Sequence, residues 1–187
     1  LFQGYYFAKP SFEALPPVVS ISLISHECTI ARLYAENTSQ EIAEIIPDLV
    51  AGKRICCTGS TEPNVGSDPR GVESVLSRTD SGFHARGSKI WITNGSISDL
   101  MIATCATEGE RGRQINRVLF VRDRQPYEAR EIPVLGLRQG HLSEIAFDCD
   151  VPSEHVLGGG GDAARILQRT WVGNRPLIGL AAVHLAQ

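Results

Sequence analysis

The stretch TGSTEPNVGSD, residues 58–68, decides how the rest of the chain is read. It is too polar for a core strand. Its glycines and hydroxyl residues offer backbone N–H groups and short side chains that could hold a ligand. An exposed connection would have the same composition, so the stretch alone leaves both readings open. Its surroundings carry the decision.

Upstream, the chain reads as helical from about Pro17 to Gly52. VVSISLISHECTIARLYAE carries apolar residues on a broad face, and Thr38 followed by Glu41 gives a capping-box signature for a second helix, SQEIAEIIPDLVAGK. Pro47 should start or kink a last short turn, and Gly52 suits a C-terminal stop. Downstream, from Arg54 to about Val151, come VESVLSR, GFHARG, KIWITN, DLMIATCAT, NRVLFVRD, EAREIPV and SEIAFDCD, separated by turns such as TDSG and EGERGR. This spacing of β-rich runs predicts an antiparallel sandwich or barrel. From Asp162 to Gln187 the chain reads as a buried helix, kinked at Pro176.

The expected fold class is therefore α+β: a helical segment, an antiparallel β-barrel or sandwich middle domain, and the start of a C-terminal helical bundle. The divisions fall at 5–53, 54–160 and 161–187, with LFQG at 1–4 set aside as a tag remnant. The last helix ends at an apolar VHLAQ without a stop signal, which predicts that the natural protein continues.

The composition narrows the function classes. The 187 residues carry a net charge of −3 with Lys and Arg scattered, so no basic field for nucleic acid is expected. No apolar run approaches the roughly 20 residues of a membrane span. Five cysteines, Cys28, Cys56, Cys57, Cys105 and Cys149, form no C-x-x-C, and the histidines form no pair at helical spacing. Reduced, buried cysteines in a cytoplasmic protein are expected, rather than metal ligands or a disulfide framework.

A second polar segment follows the first. In GSKIWITNG, Trp91 and Thr93 stand two positions apart, which on a strand puts both on one face. A flat apolar ring beside a hydroxyl suits one face of a planar heterocycle with polar edges; a Trp in the sandwich core with a Thr beside it suits the spacing equally.

The combination resembles the acyl-CoA dehydrogenase family. TEPNVGSD, GSKIWITNG, LGLR (135–138), VPSEHVLG (151–158) and a helix containing NRP follow one another in that family's order and spacing, from about Val18 to Gln187. The resemblance implies an N-terminal helical domain, a middle β domain and a C-terminal four-helix domain, assembled as homodimers or homotetramers. It implies FAD, held between the β domain and the C-terminal helices. Residue by residue, it assigns Thr58, Gly59, Ser60, Thr61, Gly66 and Ser67 to the flavin-contacting loop, with Ser67 also touching the acyl thioester's pantetheine. It assigns Trp91, Ile92 and Thr93 to the second flavin segment, with Thr93 near the flavin N5, and Asn174 and Arg175 to the substrate side.

The implied reaction is α,β-dehydrogenation of an acyl thioester carried by CoA or an acyl carrier protein, with hydride passing to the flavin N5. An electron-transfer flavoprotein or oxygen would then take the electrons. The family's base is a Glu far into the C-terminal domain or on its first helix; here that helix offers Asn174, so no catalytic base is expected among these residues. A flavin monooxygenase and a non-catalytic binding protein on the same scaffold are the alternatives. The departures, Thr58, Ser60, Val65 and Val172, bear on the substrate more than on the cofactor. Glu62 is expected to be structural, Asp68 to cap the following turn, and His26, His84 and His184 to be satisfied structural histidines. The glycines at 158–161 should form a hinge rather than a phosphate loop.

Overall fold

The computed structural model describes residues 17–36, 39–109 and 112–159, together with scattered positions from Ala163 to Val183, all of them helical. The expectations at 1–4, Thr38, Asn174 and His184, and the last glycines of the 158–161 run, lie outside the described residues.

Two helices open the described chain. Helix α1 spans Pro17–Glu36 and α2 spans Gln40–Val50. The cap of α2 is Ser39, not Thr38: the Ser39 hydroxyl accepts from the Ile42 N–H at 3.2 Å. Both residue types cap well, and the side chain that reaches the third helical N–H wins. Pro47 lies inside α2, and the helix continues to Val50. It then stops as expected at Gly52, whose φ of +68° admits the left-handed turn. There the Gly52 N–H bonds the Leu49 carbonyl and the Lys53 N–H bonds the Asp48 carbonyl, at 3.0 and 2.9 Å, closing the end of the helix.

Seven strands follow: β1 (Cys56–Gly59), β2 (Val75–Thr79), β3 (Gly82–Ile92), β4 (Leu100–Thr107), β5 (Gln114–Val121), β6 (Tyr127–Glu131) and β7 (Ser143–Val151). The β-rich runs are thus strands, with GFHARG and KIWI fused into one. The sheet is mixed, which corrects the antiparallel expectation. Strand β1 runs parallel to β4, pairing Cys56 with Leu100 and Gly59 with Ala103. Further along the same edge β2 meets β4 in parallel at Val75 and Ala106. The other pairings, β2–β3, β3–β7, β4–β5 and β6–β7, are antiparallel. Because β1 and β2 divide one edge of β4 between them, the polar loop leaves the sheet at that division.

The sheet curls around one core and packs its outer face on the helices. Cys57, Leu76, Ala85, Met101, Ala103, Val118, Phe120, Ile145 and Phe147 fill the inner face. Cys56, Leu100, Ile102, Leu119 and Val121 meet Leu33 of α1 and Ile42 and Leu49 of α2 on the other. Strands β4 and β5 are therefore buried on both faces, which explains their unbroken apolar runs. A buried ion pair between Arg117 of β5 and Glu36 of α1 ties helix to sheet. The five cysteines are free, with Cys56, Cys57 and Cys105 buried and Cys28 and Cys149 half-buried. Among the described residues no C-terminal bundle is formed.

Candidate functional site

The loop after β1 folds back on itself. Glu62 and Val65 exchange backbone hydrogen bonds at 2.8 and 3.2 Å, leaving Pro63 and Asn64 exposed at the tip. Asp68 caps the short turn Pro69–Gly71, as expected: its carboxylate accepts from the Arg70 N–H at 3.0 Å and pairs with the Arg70 guanidinium. That side-chain hydrogen bonding holds the Asp68 carboxyl down to about 2.

The chain then returns to Glu62. Its carboxylate accepts from the Glu73 N–H at 2.5 Å, the Ser74 N–H at 3.0 Å and the Ser74 hydroxyl at 2.6 Å. The Lys89 ammonium of β3 donates to the same carboxylate at 2.5 Å and to the Thr104 carbonyl at 2.5 Å. Both side chains are out of solvent, Lys89 at 0% and Glu62 at 3% exposure. Burial pushes the Glu62 carboxyl up, but the hydrogen bonds from Lys89, Ser74 and Glu73 outweigh it and hold the group below its ordinary value. Both Glu62 carboxylate oxygens are thus engaged by protein donors.

The second segment joins the first through its backbone. The Ile90 N–H donates to the Thr61 carbonyl at 2.9 Å, and a Cβ on Gly59 would stand 3.0 Å from Lys89 Cγ. Gly59 therefore lets β1 lie directly against β3. Just beyond, the β3–β7 register breaks between Lys89 and Ile92, and Trp91 takes a left-handed φ of +62°. The simple alternation that placed Trp91 and Thr93 on one strand face does not survive: the strand ends at Ile92, and Thr93 begins a turn. The break leaves the Trp91 ring 54% exposed while Ile92 is buried, so Trp91 is no core residue. Asn94 fixes the turn, donating its backbone N–H to the Gly140 carbonyl at 2.9 Å and its amide to the Ser22 carbonyl of α1 at 3.0 Å.

The structure brings residues 59–61 and 90–92 together. Thr58 faces the helices: its hydroxyl lies 2.9 Å from that of Thr29 and accepts from Arg32 at 3.1 Å. The Ser60 hydroxyl is buried without a hydrogen-bond partner among the described residues, and Thr61 is half-buried. Gly66 and Ser67 are exposed, as is Arg175 on its helical stretch. Among the histidines, His26 contacts the Leu49 carbonyl through Nε2 and accepts from the Cys56 N–H through Nδ1. His84 stands at the surface between Asp148 and Asp150.

Sequence reasoning missed Lys89 and Ser74. The signal for Lys89 was its parity: it shares the inward alternation of β3 with Ala85, where a lysine needs a partner. A cavity of 580 Å³ is bordered by Glu62, Ser74, Gly87, Tyr127 and Phe147; Trp91 is not among its walls.

Residues 57–149 match the family described as acyl-CoA dehydrogenase, middle domain. The chain is 32% identical over 153 residues to the short-chain specific acyl-CoA dehydrogenase of Megasphaera elsdenii, covering 79% of this chain and 39% of that protein. Among solved structures it is similar to butyryl-CoA dehydrogenase from Megasphaera elsdenii, with 26% identity and a TM-score of 0.82 over 91% of this chain and 46% of that one. It is also similar to the FAD complex of PigA, with 26% identity and a TM-score of 0.78 over 89% and 45%. The chain spans less than half the length of these relatives.

Proposed function

We propose, from the premise that the chain belongs to the acyl-CoA dehydrogenase family, that it forms one wall of an FAD site in a protein that dehydrogenates acyl thioesters at the α,β position. The observation that carries this reading is the backbone bond from Ile90 to Thr61, which joins the two polar segments into one surface. Along it stand an exposed indole at Trp91 and the half-buried residue Thr61, with half-buried Thr93 in the turn that follows Ile92. These groups fit a flat heterocycle with a polar rim. The FAD complex of PigA, a similar structure, supports the choice of cofactor.

FAD, when bound, supplies the acceptor for the hydride leaving the β-carbon. The residues of this chain bind and orient. Trp91 would cover one face of the ring, and Thr61 and Thr93 would bond its polar edge. Gly66 and Ser67, both exposed, would meet the thioester arm, and the family resemblance assigns Arg175 and Asn174 to the substrate side. None of the loop's carboxylates serves as base: Glu62 is held by Lys89 and Ser74, and Asp68 by Arg70. The family resemblance assigns the α-proton to a Glu outside these residues.

The acyl group is carried by CoA or an acyl carrier protein, and the electrons go on to an electron-transfer flavoprotein or oxygen. The working unit is a cytoplasmic homodimer or homotetramer. No helix of the described residues is long and apolar enough to cross a membrane.

The test is anaerobic titration of the full-length protein with short, branched and long acyl thioesters, following the flavin absorption near about 450 nm. Bleaching by one class supports dehydrogenation and identifies the substrate. A flavin band that no thioester reduces points instead to oxygen chemistry on the same scaffold. No flavin band after adding FAD leaves a binding protein.

A further inference from the structure

We infer that the buried Glu62–Lys89 pair is a positioning device for the flavin wall, fixing how Thr61 and Trp91 are presented; this rests on the FAD reading above. Each partner sits next to a residue of that wall or one removed from it. Glu62 follows Thr61, and Lys89 precedes Ile90 and Trp91. The pair therefore clamps the two segments from beneath, while the Ile90 to Thr61 bond clamps them along the backbone.

The clamp is closed on every side. The three ammonium hydrogens of Lys89 face Glu62, the Thr104 carbonyl at 2.5 Å and the Thr104 hydroxyl at 3.4 Å. Glu62 takes the Ser74 hydroxyl and N–H on one oxygen and the Glu73 N–H on the other. A fully satisfied buried network has one geometry, whereas a partly satisfied one would leave an unpaired charge at high cost.

Stability alone is a weak reason for such a pair, because apolar residues of similar volume often replace buried ion pairs without loss. Its position supplies a better one. Trp91 holds a left-handed conformation that a bulky residue adopts only when its surroundings impose it. Lys89 anchors the chain on one side of Trp91, and buried Ile92 with Asn94 anchors it on the other. Releasing Lys89 would free the backbone to leave that conformation and turn the indole away. A ligand wall tolerates little of this, since displacements near half an ångström already weaken a site.

The experiment uses the full-length protein. Three variants are compared with wild type: Glu62→Gln, Lys89→Met, and the double variant, which removes both buried charges and so keeps a folded protein in the set. Leu119→Ala, in the helix-facing core, is the control for stability alone. The readouts are FAD affinity and the visible circular dichroism of the bound flavin, which reports the asymmetry of its surroundings.

The expected result is that the double variant folds but binds FAD at least about tenfold more weakly, with an altered flavin dichroism, while Leu119→Ala keeps the wild-type flavin spectrum. A double variant that folds and keeps wild-type affinity and dichroism overturns the inference and leaves the FAD reading standing. So does a Leu119→Ala protein that shifts both readouts equally. Wild-type protein that binds no FAD overturns both.

Discussion

Gly87 lies so close to Ser74 that a Cβ added to it would stand 2.1 Å from the Ser74 hydroxyl oxygen and 2.8 Å from Ser74 Cα. The contact is with backbone as well as side chain, so rotating the serine cannot relieve it. Ser74 in turn holds the Glu62 carboxylate through both its N–H and its hydroxyl. Gly87→Ala should therefore push the turn at 73–74 off Glu62 and lower stability by about 2–3 kcal/mol. Urea denaturation with an unchanged slope and a lower midpoint would confirm it; a wild-type midpoint would show that the turn adapts.

Glu62 also sets part of the acid sensitivity. Its folded-state carboxyl lies below the ordinary value of 4.5 because the hydrogen bonds from Lys89, Ser74 and Glu73 outweigh its burial. A depressed carboxylate contributes stability that is fully present above its unfolded value and lost as pH falls through the folded one. Melting temperature measured from pH 7 downward should thus fall below about pH 4.5, and less steeply in Glu62→Gln. Parallel curves for the two proteins would refute the assignment.

His84 acts in the opposite direction. Its Nδ1 lies 2.8 Å from Asp150 and its Nε2 2.7 Å from Asp148, an arrangement in which both ring nitrogens donate only when the ring is protonated. Those two hydrogen bonds, Asp150's foremost, raise its pKa above 6.5. The stabilisation is present below that ordinary value and is lost as pH rises through the folded one. An NMR titration should place the ring's midpoint above 6.5, and Asp150→Asn should lower it. A midpoint below 6.5 in wild type would mean the two carboxylates do not hold the ring.

At the end of α2, Gly52 has a φ of +68° and no atom within 4 Å of the Cβ it lacks. Only backbone conformation is at stake there. Gly52→Ala should cost about 1 kcal/mol and Gly52→Asn less, because asparagine tolerates the left-handed region. Equal melting temperatures for the two variants would show that the helix end rearranges instead.

Much of this was legible from residue pattern, and the failures have physical causes. The strand runs were visible because β4 and β5 are buried on both faces and β7 alternates. Their pairing was not, since the parallel contact of β1 with β4 depends on a crossover that no local pattern encodes. The cap of α2 moved from Thr38 to Ser39 because two good caps stand side by side. The two polar segments were legible as a site, yet the alternation rule failed at Trp91, where a register break replaced the regular strand. The Glu62–Lys89 pair stayed hidden because its partners lie 27 residues apart on different elements.

The most direct test is a crystal structure of the full-length protein with FAD. The flavin ring is expected against the Trp91 indole, within about 4 Å, with hydrogen bonds from the segments containing Thr61 and Thr93. A flavin bound elsewhere on the β domain, with Trp91 packed against protein instead, would contradict that placement.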